Sequence, residues 1–217
     1  VGGKLIALAK ERNLPYIQLP NTGIQPRCAL GFSLRALFKI LGDERGLRES
    51  AKLAKTLKLD DFEKTGQTLA TKLAGKVPVI YSSQSNFAIA YNWKIKLNET
   101  GKVPAFYNVL PELNHNEMNG FDVKPSIKSL CNKFHFIFLK DKNDHPRVQK
   151  RMSILEKLYN ERDLPVEVLT LNGKTAFEKM FSSLVLADWT AVYLAKHYKL
   201  ESEQVPMVEE FKKLMAS

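Results

Sequence analysis

Apolar and polar positions change period several times along the 217 residues, and each change marks an element. In KLIALAKERN, Leu5, Ile6, Leu8 and Ala9 gather near one side of a 3.6-residue repeat, which predicts a helix. LPYIQLP, bounded by prolines, predicts a short strand. PRCALGFSLRALFKILG predicts a second helix, with Pro26 near its start and Gly42 at its end. From Gly46 to about Gly75 a polar, lysine-rich stretch keeps helical spacing through Leu47, Ala51, Ala54, Leu69 and Leu73. It is read as linker helices, residues 46–75, between a first lobe, 1–45, and a second, 76–217.

The second lobe opens on VPVIYSS, a continuous apolar run of the kind that strands buried on both faces show. A helix follows in SNFAIAYNWKIKLNE, then a candidate strand in PAFYNVL. FHFIFLKD is a further strand, HPRVQKRMSILEKLYNERD a helix and PVEVLTL a strand. Two helices close the chain, AFEKMFSSLVLADWTAVYLAKHYKL and VPMVEEFKKLMAS. Strands alternating with helices imply an α/β fold around a parallel sheet. The first lobe, with one strand and two helices, holds too little to close such a core alone. The expectation is a fragment, or a lobe that a partner chain completes.

Composition narrows the class. With 44% hydrophobic and 26% charged residues the chain is an ordinary globular protein. Its longest apolar stretch, FSSLVLADWTAVYLA, is broken by Asp188 and falls short of the roughly 20 residues a membrane helix needs. No membrane partner is expected. The two cysteines, Cys28 and Cys131, form no CxxC pair, so neither a disulfide framework nor a zinc site is expected, and a reducing cytoplasm is the natural setting. The net charge of +10 splits into +6 over residues 1–60 and +4 over the rest. These lysines are scattered without aromatic interleaving, as on solvated helix faces, so a nucleic-acid partner is not expected.

The densest chemistry lies in WKIKLNETGKVPAFYNVLPELNHNEMNGF, from Trp93 to Phe121. Glu99, Glu117 and His115 sit there among Asn98, Asn108, Asn114, Asn116 and Asn119. Asparagines both donate and accept, so they can fix the orientation of carboxylate and imidazole groups. A carboxylate with an imidazole suits proton transfer near neutral pH.

That segment resembles the most recognisable motif of the bifunctional phosphoglucose/phosphomannose isomerases, which are built from two sugar-isomerase (SIS) domains. GGKLIALAKERNLPYIQLP resembles the end of the family's first SIS domain, QPRCALGF the entry to its next helix, and ADWTAVYLAK with VPMVEEFKKLM its C-terminal helices. The resemblance implies a three-layer SIS fold over 76–217, preceded by an incomplete first SIS domain. It implies interconversion of glucose 6-phosphate or mannose 6-phosphate with fructose 6-phosphate through a cis-enediol, without metal or other cofactor. Glu99 matches the family's base, and His115 its ring-opening residue, supplied by the neighbouring subunit of a homodimer. Arg27 matches an arginine near the enediolate oxygens, and Lys196 a C-terminal lysine that contacts the substrate. Asn114 and Glu117, beside His115, join them as substrate-binding candidates. The family's Ser/Thr-rich phosphate loops do not occur in these residues, and Val1 stands where a serine is usual. This chain is therefore expected to be weak or inactive alone.

Each assignment has a plainer counterpart. NETGK has the composition of a helix stop, so Glu99 also reads as a solvated helix end. Glu117, and Glu112 near it, also read as caps of a loop. Arg27 reads equally as an ion-pair partner, and Lys196 as a complement to the negative end of its helix. Ser82 and Ser83 follow a strand where parallel sheets present ligand loops, but turn chemistry accounts for them too. Asp188 reads as structural, paired or hydrogen-bonded if buried. His135, alternating with Phe134 and Phe136, reads as a strand residue, His145 as a helix start and His197 as a surface group. The alternative function is a non-catalytic SIS module that binds a sugar phosphate and regulates a partner.

Overall fold

Residues 2–216 are described by a computed structural model. Val1, and with it the serine comparison above, lies outside them. The chain divides into two compact units, Val1–Leu57 and Lys58–Ser217.

In the first unit, α1 (Lys4–Glu11) is followed by a 3-10 turn (Pro26–Cys28), α2 (Leu30–Leu41) and α3 (Glu44–Thr56). Gly42 ends α2 in the left-handed region at φ 69°, a conformation glycine adopts without a Cβ penalty. Asp43 caps α3 by accepting from Gly46 N at 2.8 Å. Arg35 Nη1 ties the two helices together through Leu47 O (2.9 Å) and Ser50 Oγ (2.8 Å). The strand expected at LPYIQLP is not formed. Residues 14–20 carry no regular structure, and Leu14, Tyr16 and Ile17 are exposed. Its prolines donate nothing to a ladder, and among the described residues of this unit there is no strand for it to pair with.

The boundary between the units falls within the stretch read as a linker. α3 closes the first unit, whereas α4 (Glu63–Leu73) belongs to the second, where it buries Gly66, Leu69, Ala70 and Leu73. A Cβ on Gly66 would lie 2.5 Å from Trp189 Cβ, so this glycine lets two helices approach closely.

The second unit continues with β1 (Val77–Ser83), α5 (Phe87–Glu99), β2 (Phe106–Leu110), the single-turn helices α6 (Glu117–Gly120) and α7 (Lys128–Cys131), and β3 (Phe134–Lys140). Then come α8 (Pro146–Asn160), β4 (Val166–Thr170), α9 (Ala176–His197) and α10 (Pro206–Ala216). All pairings are parallel, in the order β2-β1-β3-β4, so the candidate strand in PAFYNVL is real. Alternation sorts the side chains into two cores. Val79, Tyr81, Phe136 and Phe138 pack with Met152, Leu155 and Tyr159 of α8. Ile80, Ile137 and Leu139, also fully buried, turn to the opposite face, where α5 packs on β1 and α9 packs on α4 and α5. This is the α/β, three-layer arrangement the sequence predicts. Among the described residues no helix is long and apolar enough to cross a membrane.

His135 is buried on β3, its Nε2 3.9 Å from Glu167 Oε1. Burial lowers its pKa below the ordinary 6.5, against the opposing pull of Glu167 and of the Lys72 carbonyl. A histidine held neutral in the fold takes up its proton more readily when unfolded. Its contribution is therefore present above about pH 6.5 and lost as the pH falls. The melting temperature should drop between about pH 7.5 and 5.5, and His135→Phe should flatten that slope, as measured by thermal denaturation across the range.

Candidate functional site

α5 runs from the carboxyl end of β1 back to the amino end of β2, so its last residue, Glu99, stands at the amino edge of the sheet. The half-buried carboxylate is carried on a tightly tied helix end. Asn98 Nδ2 donates to Val103 O at 2.9 Å, and Lys102 Nζ donates to Glu99 O at 2.7 Å and to Gln204 O. Lys102 itself is left-handed, at φ 60°. At Gly101 a Cβ would meet Leu97 O at 2.7 Å, which explains a glycine where the turn closes against the helix.

One turn before Glu99, Lys96 is 2% exposed and its Nζ lies 2.5 Å from Asp188 Oδ1 on α9. Another turn back, buried Trp93 Nε1 donates to Ser183 Oγ at 2.9 Å. Trp93 opposite Ser183 and Lys96 opposite Asp188 show that α5 and α9 run in the same direction. Their carboxyl ends, bearing Glu99 and Lys196, therefore come to the same edge of the unit. Lys196 is exposed, its Nζ 5.6 Å from the Tyr193 ring centroid. Asp188 is the structural ion-pair residue that the sequence implied. Arg27 lies in the turn Pro26–Cys28 of the first unit.

His115 stands at the other edge. It follows β2 and the 3-10 turn Glu112–Asn114 at the carboxyl end of the strands, exposed to solvent. Beside it, Asn114 Oδ1 is buried and has no hydrogen-bond partner among the described residues. Glu117 is half-buried and turned inward, accepting from Tyr81 Oη at 2.5 Å and from Asn108 Nδ2. Glu112 accepts from Asn116 Nδ2 at 3.1 Å. The polar run from Trp93 to Phe121 thus spans the sheet from one edge to the other.

Ser82 and Ser83 end β1 beside the switch point, where the chain's connections diverge toward β2 and toward β4. Ser82 is fully buried, with its hydroxyl on Ser83 O. Ser83 Oγ donates to Asp144 Oδ1 at 2.6 Å, and Asn86 Nδ2 bridges Ser83 Oγ, Asp141 Oδ2 and Asp144 Oδ1 at 3.1–3.2 Å. Lys179, from α9, pairs with Asp141. Burial pushes both carboxyls up; at Asp144 it prevails, whereas at Asp141 it is outweighed by Lys179, the Asn143 N–H and Asn86. Sequence reading missed Asn86, Asp141, Asp144 and Lys179. Their signal was positional only: each lies just after a strand end or at the start of a helix facing the switch point. Ser83, Asn86, Asp141 and Asp144 are all buried there. Among the described residues no group of three or more His, Cys, Asp or Glu side chains is placed to hold a metal ion.

Residues 62–215 match the sequence model of the bacterial phospho-glucose isomerase C-terminal SIS domain. The chain belongs to that family. Over 97% of its length it is 33% identical to the bifunctional phosphoglucose/phosphomannose isomerase of Aquifex aeolicus, of which it spans 64%. The motif between Trp93 and Phe121 points to the same family. Solved structures agree on the fold. A hypothetical protein from Thermus thermophilus aligns over 99% of this SIS chain and 60% of its own, with a TM-score of 0.70 at 16% identity. A glucose-6-phosphate isomerase-like protein from the same organism aligns over 82% of this chain and 61% of its own, with a TM-score of 0.59 at 16% identity.

Proposed function

We propose that the protein is an aldose–ketose isomerase that interconverts glucose 6-phosphate or mannose 6-phosphate with fructose 6-phosphate through a cis-enediol. The observation that carries this reading is the helix end that fixes Glu99, with Lys196 brought to the same edge, in a chain of the SIS isomerase family. Glu99 takes the C2 proton of the opened aldose, and the electron pair moves into a C1–C2 double bond as the C1 carbonyl becomes an enediolate oxygen. Delivery of a proton to C1 from the Glu99 carboxyl, which exchanges with solvent, together with transfer of the O2 proton to O1, leaves the ketose. Arg27 and Lys196 supply positive charge to the enediolate and substrate oxygens. His115 opens the ring by protonating its oxygen while the anomeric hydroxyl gives up its proton to solvent water.

Glu99 and His115 are separated by the length of β2, five residues at about 3.3 Å each, or roughly 17 Å. One substrate does not span that distance, so the reading requires a homodimer in which each His115 serves the partner's Glu99. Asn114 orients substrate beside that imidazole, whereas Glu117 acts through the loop. Ser82 and Ser83 shape the neighbouring crevice.

The test uses the product of the complete gene. Fructose 6-phosphate in D₂O should yield aldose phosphate deuterated at C2, as base-mediated enediol chemistry demands. Binding with no deuterium incorporation would instead favour a regulatory sugar-phosphate module.

A further inference from the structure

Tyr81 and Asn108 are register partners on β1 and β2, and both side chains reach one carboxylate. Tyr81 Oη donates to Glu117 Oε1 at 2.5 Å, and Asn108 Nδ2 donates to Glu117 Oε2. Tyr81 is fully buried among Phe136, Phe138 and Tyr159, with Tyr159 Oη 3.4 Å from its own hydroxyl. A phenol hydroxyl in such a place needs an acceptor. The acceptor comes from outside the sheet, on the short helix α6. Burial, together with the neighbouring Tyr159 and Glu117, drives the Tyr81 pKa far up, so this hydroxyl remains a donor throughout the physiological range.

A second anchor precedes it. Leu113 is fully buried in the same core, against the α8 side of the sheet. His115 sits midway, two residues after Leu113 and two before Glu117, and is exposed. Within the segment, Asn114 N bonds Pro111 O at 3.1 Å, His115 N bonds Glu112 O at 2.9 Å, Asn116 Nδ2 bonds Glu112 Oε1 at 3.1 Å and Glu117 N bonds Asn116 Oδ1 at 2.6 Å. These bonds are all local to residues 111–117, so the segment is seated on the sheet by Leu113 and Glu117.

We propose that Tyr81 and Asn108 are positioning residues for His115, acting through Glu117 to hold residues 113–117 against the carboxyl edge of β1 and β2. In this role they aim the imidazole at the ring oxygen of a sugar phosphate on a second copy of the chain. The inference rests on the isomerase reading. It goes beyond it by assigning the orientation of the ring-opening imidazole to a part-buried network that touches no substrate.

Exchange between the α and β anomers of glucose 6-phosphate needs ring opening and closing but no carbon–hydrogen cleavage. Catalysis of that exchange by the complete gene product can be followed by NMR exchange spectroscopy. Tyr81→Phe, which keeps the ring in the core, should lower catalysed anomer exchange and kcat for isomerisation about tenfold while KM stays within about twofold. Asn108→Leu should act in the same direction. Glu117→Gln, which keeps an acceptor for Tyr81, should retain more activity than Glu117→Ala. Hydrogen exchange should quicken at amides 112–119 in Tyr81→Phe, with β1 and β3 still protected, which separates local release from unfolding. Active wild type with unchanged anomer exchange in Tyr81→Phe would overturn the positioning role alone. So would unchanged amide protection at 112–119. Wild type that catalyses neither reaction would remove the isomerase reading, and this inference with it.

Discussion

Glu99→Gln is expected to lower isomerisation by about 10²–10⁴-fold, the usual contribution of a positioned general base. The substitution keeps the shape of the side chain and removes only the group that accepts the C2 proton. The helix end that carries it is held by Asn98, Lys102 and the Gly101 turn, all acting on backbone atoms that the substitution leaves in place. Folding and sugar-phosphate affinity should therefore stay near wild type, and the whole loss should appear in kcat. Steady-state kinetics beside a thermal melt check this. Turnover retained in Glu99→Gln would remove this residue from the chemistry, whatever the fold of the variant.

The second large effect concerns stability. Asp188→Ala should cost about 2–3 kcal/mol, because it deprives a buried ammonium of its carboxylate. Lys96 is 2% exposed, whereas the Asp188 side chain is 37% exposed, so the cost falls toward the lower side of the range for fully enclosed pairs. The ammonium loses this partner but not its desolvation. Lys96→Met in the same background removes the charge as well and should restore most of the loss, since apolar replacement of a whole ion pair is often close to neutral. Denaturant unfolding of the two single variants and the double variant closes that cycle. An Asp188→Ala cost below about 0.5 kcal/mol would mean that the pair is no more than a surface contact. The outcome bears on the site as well, because this pair joins α5 to α9 one turn before Glu99.

How much of this is legible in the sequence depends on the distance along the chain between interacting groups. VPVIYSS and FHFIFLK announce themselves as strands because a sheet covered on both faces needs unbroken apolar runs. LPYIQLP has the same look, but a strand is made by its partner, and none of the described residues of its unit supplies one. α4 reads as a linker because lysines and threonines dominate its composition. Its sparse stripe of Gly66, Leu69, Ala70 and Leu73 nevertheless suffices to seat it on α9. Glu99 and His115 can be singled out as candidates because their motif is local. The long-range pairs of the fold cannot be. Asp188 lies 92 residues from Lys96, Glu117 lies 36 from Tyr81, and Asp144 lies 61 from Ser83. Such pairs exist only once the strand order β2-β1-β3-β4 is known. Asp188 can be recognised from its apolar helix as needing a partner, but not which one.

The shortness of β2 has a consequence of parity. Its central residue, Asn108, faces the Glu117 carboxylate, while the strand's two ends lead to Glu99 on one side and His115 on the other. Inserting or deleting one residue would turn Asn108 to the opposite face and break the tie to Glu117. A change of two would keep the facing but alter the span by about 7 Å. The strand thus behaves as a gauge with a step of two residues. The distance between the two polar ends of this motif is quantised by the pleat, and small length variation at this point in the chain has no intermediate setting to occupy.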